Sequence, residues 1–420
     1  MLDDVATEID GKAHGHGAQD LSSFLQWLDD AGVTCPKMAV TDVNGVRGGI
    51  AREPIRAGEL VIHIPRTALL TMSTIAAARS RVAAIMLASG ADFGQQTYLT
   101  AFLIEAGRSG GAWMHYISLL PETAPEPGLH RARVAELLKG TDIDPRVKRM
   151  TSPVLEHMRE QYSLFAPLFP MVSLREFAWM WNSVVTRNFS VEIDGNKTAV
   201  IAPLADMLNH ADSETYNVAW AHSATDGFRF IALRDIAAGA ELKIGYGAHS
   251  NAELFQRYDF CLVENCHDRV AIGLPAILPS HPFFAHAEGL GVQQDGMRVF
   301  RVGLKHDTDA VRQMLAYLRL ACLDDIGALR QALAAIQPGV RLAVVSEKNE
   351  RAVRAQLRRA CLRALERYER DIEEDDRMLA EANLAWSERC AILVGRGEKR
   401  VLHHYIDWCR SGAMVKAEHA

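Results

Sequence analysis

The chain is predicted to be α+β: a β-rich module of short strands with a helical insert, followed by an all-α C-terminal domain. Three observations predict this. Two distant segments echo each other, Ile50-Ala51, Ile55, Ala57-Gly58-Glu59-Leu60, Ile62 and Ile231-Ala232, Ile236, Ala238-Gly239-Ala240-Glu241-Leu242, Ile244, with one extra residue in the second copy. Each reads as strand, glycine turn, strand. The stretch between them, about 73–181, is Ala/Leu-rich and helical in texture, and beyond about residue 300 apolar side chains again recur at helical spacing.

In chain order, residues 1–19 are polar, include His14-Gly15-His16-Gly17, and read as a flexible tail. Asp20 is a plausible N-cap for a helix carrying Leu21, Phe24, Leu25 and Leu28 on one face. Asn44-Gly45 and Gly48-Gly49 mark tight backbone, and the following strand stops at Pro65. Helices are expected over Ala76–Leu87, Gln96–Ile104, Val154–Phe165 and Leu174–Val185, with the Pro-rich run Pro121–Gly128 as a connection. The β-rich module is expected to span 20–270 and the helical domain 271–420. In the latter, Val353, Leu357, Cys361, Ala364 and Tyr368 form one apolar stripe. Arg354, Arg358, Arg359 and Arg363 make another face basic, which reads as solvated surface ahead of docking surface. Glu373-Glu374-Asp375-Asp376 reads as a solvated linker or cap.

The 420 residues include 46 Lys+Arg against 52 Asp+Glu, a formal net charge of −6, with 49% hydrophobic residues. That balance excludes a wholly disordered chain and gives no overall attraction to nucleic acid or an anionic membrane. No signal peptide is visible, and no apolar run approaches the ~18 residues of a membrane span. Seven scattered cysteines read as reduced thiols in a cytoplasmic protein. Cys261, Cys266 and His267 cluster but lack a fourth ligand, so no metal is expected. Phosphate-loop, nucleophile-elbow, H-E-x-x-H and dinucleotide-binding glycine patterns are all missing.

Three stretches carry the chemistry. Asn44-Gly45-Val46-Arg47-Gly48-Gly49-Ile50-Ala51 offers glycine-rich backbone that a ligand can approach closely. Pro203-Leu204-Ala205-Asp206-Met207-Leu208-Asn209-His210 sets Asp, Asn and His together after an apolar run; a polar site and a helix cap both explain it. Ile244-Gly245-Tyr246-Gly247 places a tyrosine between two glycines at a strand end, where it packs poorly as core and favours exposure in a site.

In this order the stretches resemble the SET-domain protein methyltransferases, and more closely the subgroup of the plant Rubisco large-subunit lysine methyltransferases. The fuller phrases are RGGIA at Arg47–Ala51, VVTRNF at Val184–Phe189, PLADMLNH at Pro203–His210, YGAHSNAELFQRYDF at Tyr246–Phe260 and GEKRVL at Gly397–Leu402, so that the likeness covers roughly Asp20–Cys409. The resemblance implies a helical insert within a SET module, a helical C-terminal substrate-binding domain, and S-adenosylmethionine as methyl donor. It implies that backbone at Gly45, Val46 and Arg47 faces this cofactor and that Arg187 lies near its carboxylate. Asn209 and His210 would hold its amino end and adenine, with Phe260 against the adenine. Tyr246 would sit at the methyl-transfer channel as the catalytic residue. Phe189, Ala205, Asp206, Tyr216 and Tyr258 would line the substrate pocket. A protein substrate would dock partly on the C-terminal domain. Two positions depart from the family pattern, Val46 and Asp259, where glycine is usual.

Related histidine-methylating members carry Asn and a bulky Trp where this chain has Phe189 and Ala205. A phenyl ring cannot hydrogen-bond an imidazole, whereas it suits an alkyl-ammonium stem. The expected activity is therefore methylation of a lysine on a non-histone protein. The alternatives are a histidine methyltransferase on the same scaffold and a non-catalytic binding protein that keeps the fold.

Overall fold

The computed structural model describes residues 17–43, 45–121, 132–144, 153–193, 195–281, 284–323, 327, 344–381 and 383–411. Residues 1–16 of the expected tail, and the Pro-rich run beyond Pro121, lie outside them. The chain forms two compact units, Met1–Pro125 with Thr151–Tyr246, and Glu126–Met150 with Gly247–Ala420.

The first unit opens with α1 (Gly17–Asp30), which starts before Asp20, so Asp20 lies inside the helix and is not its cap. Phe24 and Leu28 of α1 are buried. Strands β1 (Met38–Val43) and β2 (Val46–Ala51) form a hairpin, and β3 (Leu60–Ile64) stops at Pro65 as expected. After the insert come the hairpin β4 (Phe189–Ile193) and β5 (Asn196–Val200), the two-residue β6 (Asn209–His210), then β7 (Val218–Ser223), β8 (Gly227–Ala232) and β9 (Glu241–Ile244). The sheet orders are β1-β2-β9-β6 and β3-β8-β7.

The two echoing segments pair with each other. Ile55 and Ile236 exchange backbone hydrogen bonds of 2.9 and 2.8 Å. On either side β3 pairs with β8 and β2 with β9, all antiparallel. The turn glycines are equivalent: Gly58 N donates to Ala232 O and Gly239 N donates to Ala51 O, both at 2.8 Å. Both have left-handed backbone, φ +83° and +79°, which a side chain would strain. A local repeat has thus become a two-fold-like pairing that joins the chain before the insert to the chain after it.

The insert departs from expectation at its start. The expected Ala76–Leu87 helix is two, α2 (Met72–Ala77) and α3 (Arg81–Ser89). Arg79 turns the backbone left-handed (φ +54°) and Ser80 caps α3 by accepting from Ala83 N at 3.0 Å. Helices α4 (Gln95–Ser109), α5 (Met114–Ile117), α7 (Pro153–Phe165) and α8 (Leu174–Arg187) follow, with α6 (Ala132–Leu137) in the second unit. Ser173 caps α8 by accepting from Glu176 N, and Phe177, Met180, Trp181 and Val184 are buried along it. The last residue of α8 is Arg187, so the helix delivers a cation at its end.

The second unit contains α9 (Asn251–Tyr258), a sheet of order β10-β12-β11, and the later helices. The sheet comprises β10 (Arg269–Pro275), β11 (Val292–Gln294) and β12 (Met297–Gly303); the sequence analysis did not foresee it. Val270, Ile272 and Leu274 alternate inward, but seven residues ending in proline are too short to stand out from a connection. A short helix, α10 (Phe284–Ala287), lies between β10 and β11, and past β12 the described elements are helical as expected: α11 (Asp309–Ala321), then helices Glu347–Leu365, Ile372–Leu379 and Trp386–Ser411. The apolar stripe lies along Glu347–Leu365, with Tyr368 beyond its end. The acidic run is neither linker nor wholly solvated. It forms the first turn of Ile372–Leu379, where Asp371 accepts from Glu374 N, and Asp375 is fully buried between Lys399 and Arg370.

Candidate functional site

Strand β6 lies parallel to β9, with Asn209 opposite Lys243 and His210 opposite Ile244. This register brings His210 against the end of β9. Tyr246 N donates to His210 Nδ1 at 3.0 Å, and the two rings lie 5.1 Å apart. The Tyr246 hydroxyl donates to Leu208 O at 2.8 Å. Asn209 Nδ2 donates to Glu241 Oε1 at 2.8 Å. A Cβ on Gly48 would stand 2.7 Å from that Asn209 nitrogen, so β2 reaches Asn209 only because position 48 has no side chain.

Just before β6 the backbone is strained. Leu204 has φ +78° and ψ −47°, and its side chain is buried. A leucine in this region costs of order 1–3 kcal/mol and persists only where packing holds it. The turn Ala205–Met207 that follows aims Asp206 inward. Its Oδ2 accepts from the Tyr116 hydroxyl at 2.7 Å and faces Arg187 Nη1 at 3.4 Å, while Nη1 also donates to Asp206 O at 3.1 Å. Asp206 Oδ1 is buried with no hydrogen-bond partner among the described residues. Burial pushes the Asp206 carboxyl up, with Arg187 opposing. Burial and then the neighbouring carboxylate hold the Tyr116 phenol well above its usual range, so Tyr116 is a neutral donor. For Arg187 burial acts downward, but Asp206, Tyr116 and Tyr246 outweigh it and the guanidinium keeps its proton more tightly than usual.

A second guanidinium stands close by. Arg47 Nη1 donates to Leu119 O at 2.6 Å. Burial and then the Arg187 charge lower its pKa, with Asp206 opposing. The hairpin before it is closed by Asp42 Oδ1, which accepts from Gly45 N at 2.7 Å, with Gly45 at φ +85°. Val46 sits in the ladder opposite Val43 with an exposed side chain, so replacing the usual glycine leaves the strand intact.

Of the expected site residues, Gly45, Val46, Arg47, Arg187, Asp206, Asn209, His210 and Tyr246 are in the first unit, and Arg47, Arg187, Asp206, Tyr246 and His210 form one connected set of contacts and charges. The Tyr216 ring lies 3.5 Å from where a Cβ on Gly245 would stand, next to Tyr246. Ala205 is fully buried. Phe189 packs edge-on against Trp220, Phe228 and Phe230, with ring centroids 5.4, 5.3 and 6.0 Å away. Tyr258 and Phe260 belong to the second unit, their rings 6.0 Å apart. Between them Asp259 caps α9 at φ +57°, which explains the usual glycine; aspartate is among the few side chains that tolerate it. Cys261 is buried, its Sγ 3.5 Å from the carbonyls of Asn251 and Cys390. Among the described residues no group of three or more His, Cys, Asp or Glu could hold a metal ion, and no helix is long and apolar enough to cross a membrane.

Sequence reading missed Tyr116, Glu241 and the strain at Leu204. Tyr116 lies in the insert, 90 residues from Asp206, and no motif links them. Glu241 passed as filler in the echoing hairpin.

Two family models match, one described as the SET domain over residues 46–247 and one as the Rubisco LSMT substrate-binding domain over residues 286–402. The chain belongs to the SET-domain protein methyltransferases. It falls in the subgroup that carries the Rubisco LSMT substrate-binding domain. The chain is 26% identical over 421 residues to an actin-histidine N-methyltransferase of Danio rerio, covering 93% of this chain and 68% of the relative. It is 28% identical over 412 residues to the chloroplastic ribulose-1,5-bisphosphate carboxylase/oxygenase large subunit N-methyltransferase of Pisum sativum, covering 91% and 80%. In fold it is similar to the crystal structure of the SET domain of LSMT bound to lysine and AdoHcy, with TM-score 0.69, 23% identity, and 94% and 92% of the two chains covered.

Proposed function

We propose that the chain is an S-adenosylmethionine-dependent protein-lysine N-methyltransferase, and that the knot of Arg187, Asp206, Asn209, His210 and Tyr246 is its active centre. The observation that carries this reading is Arg187 itself. Its Nη1 is engaged by Asp206, while Nε and Nη2 have no partner among the described residues and the side chain is 24% exposed. A carboxylate can take those remaining donors, with Arg47 as a second cation nearby. Asn209, held through Nδ2, keeps its Oδ1 as an acceptor for an ammonium. Such a donor and acceptor set fits an amino-acid moiety such as that of S-adenosylmethionine. When bound, S-adenosylmethionine supplies an electrophilic methyl group on a positively charged sulfur.

The rest is done by the chain's own residues. A lysine has pKa about 10.4, so presenting it neutral at pH 7 costs roughly 4–5 kcal/mol. Apolar walls lower that pKa, and Phe189 and Ala205 are proposed as such walls. Tyr246, fixed by its bond to Leu208 O, orients the amine, and water or bulk solvent takes the proton. Positioning of this kind is worth roughly 7–11 kcal/mol in well-aligned systems. Phe189 supports lysine over histidine, since its ring offers an imidazole no hydrogen bond. The actin-histidine methyltransferases among the relatives favour histidine as the second reading. Seven scattered cysteines, an odd number, support a reducing, cytoplasmic setting. The test is incubation of the protein and labelled methyl donor with a cell lysate, followed by mass-spectrometric mapping of the modified residue. Methyl-lysine is the expected product; methyl-histidine would replace the lysine reading, and absence of label would overturn both.

A further inference from the structure

Within the second unit, helix Glu347–Leu365 carries Arg351, Arg354, Arg358, Arg359 and Arg363 and no acidic residue after Glu350. Glu350 is itself buried against Arg319 at 2.6 Å. None of the five arginines forms an ion pair among the described residues, and all but Arg354 are exposed. The contrast with the same unit is sharp. Arg312 pairs with Asp309, Arg370 with Asp375, Arg396 with Asp376 and Glu264, Arg400 with Glu264, and Arg410 with Asp407. Five guanidinium groups on one helix, none paired among the described residues, repel one another along their shared sides, and a chain of net charge −6 holds many carboxylates that could have been set between them.

An apolar cavity of about 400 Å³ adjoins this ridge, lined by Leu274, Ile277, Leu278, Tyr317, Ala321 and Gln356 among others. Its wall is braced: the Tyr317 hydroxyl accepts from Ile277 N and donates to Pro275 O, both at 2.8 Å. At its lip Leu278 is 67% exposed. Gln356 joins the cavity to the part of the row nearest it, because Arg359 and Arg363 follow it by three and seven residues and so share its side of the helix, with Arg358 next to Arg359 in the chain.

We propose that this face docks an acidic segment of the substrate protein, with one bulky apolar side chain in the cavity and its carboxylates across the arginine ridge. The proposal rests on the protein-methyltransferase reading and adds the chemical class of the partner. A protein segment is favoured over nucleic acid or a membrane because the surface couples cations to a mainly apolar cavity open to solvent. Bare phosphate recognition needs no such cavity, and the net negative charge of the chain opposes long polyanions. Guanidinium groups also bind carboxylates bidentately, which fixes orientation as well as adding attraction.

The test uses the full chain and fluorescence anisotropy. The probes are a labelled Asp/Glu-rich peptide with a central Leu-Phe pair, the same peptide with Ser-Ser at the centre, a lysine-rich counterpart, an oligouridine and phosphatidylserine vesicles. The proteins are wild type, the triple variant Arg358→Gln, Arg359→Gln, Arg363→Gln, and Leu278→Glu. All four substituted residues are exposed, so the substitutions should leave the fold intact, checked by circular dichroism. The acidic apolar peptide is expected to bind best and to weaken about tenfold or more in either variant and with added salt. Equal affinity for wild type and triple variant, or for acidic and lysine-rich peptides, would overturn the proposal. So would tighter binding of oligouridine or vesicles lost on the same substitutions. Calorimetry with S-adenosylmethionine on the same proteins separates the two readings. Wild type that binds no methyl donor strikes the methyltransferase reading. Donor binding unchanged in all three proteins, with peptide binding insensitive to the arginines, strikes the docking proposal alone.

Discussion

Tyr246 makes its two defined bonds through different atoms: the backbone nitrogen to His210 and the hydroxyl to Leu208 O. Tyr246→Phe therefore keeps the ring in place and removes one directed group. Methyl transfer should slow by roughly 10²-fold or more in kcat while the dissociation constant of the methyl donor changes little. Single-turnover kinetics beside calorimetry would check the split. Tyr116 acts on the site from behind. Tyr116→Phe leaves a buried carboxylate short of a donor and should lower stability by about 1–3 kcal/mol, read from denaturant unfolding. At this scale Asn209, His210 and Tyr246 stand out in the sequence because they sit near proline or glycine, whereas Arg187, in VVTRNF, was named only through the family resemblance. The Tyr116–Asp206 contact does not stand out, since a hydrogen bond across 90 residues leaves no local pattern.

Among the elements, α9 shows how a helix end stores a pH dependence. Asn251 N, at its first turn, donates to Asp268 Oδ1 at 2.8 Å, and Asp268 packs against Gly397, where a Cβ would collide with its Oδ2. Burial raises the Asp268 carboxyl from 3.8 to about 7. A carboxyl whose folded pKa is raised binds its proton more tightly when folded. Its stabilising contribution is therefore present at low pH and is lost as pH rises from about 4 to about 7, by at most ~1.4 kcal/mol per pH unit. Asp268→Asn should remove that slope and make the protein more stable than wild type at pH 8, measured by chemical unfolding across pH. The elements themselves were legible to different degrees. The echoing hairpins announced themselves twice in the sequence. The break between α2 and α3 rests on one left-handed arginine, which no residue preference signals. The short β10–β12 sheet is held by tertiary pairing more than by strand length.

For the whole molecule, a core pairing between Ile55 and Ile236 ties residues far apart in sequence into the unit that carries Arg187, Asn209, His210 and Tyr246. Ligand held by that unit stabilises it by mass action. S-adenosylmethionine at about 100 times its dissociation constant should add ~2.7 kcal/mol to the unfolding free energy of the unit concerned, seen as a raised transition in scanning calorimetry. Arg187→Gln should abolish most of that rise. The broad architecture was readable because period and repeat survive over many residues, whereas the exact meeting of Arg47, Arg187 and Asp206 depends on how α8, β2 and the Leu204 turn are set in three dimensions. The most direct measurement is calorimetric titration of S-adenosylmethionine into wild type, Arg187→Gln and Asn209→Ala. The account predicts one site per chain in wild type and binding at least about tenfold weaker in both variants. No heat with wild type, or equal affinity in all three, would contradict it.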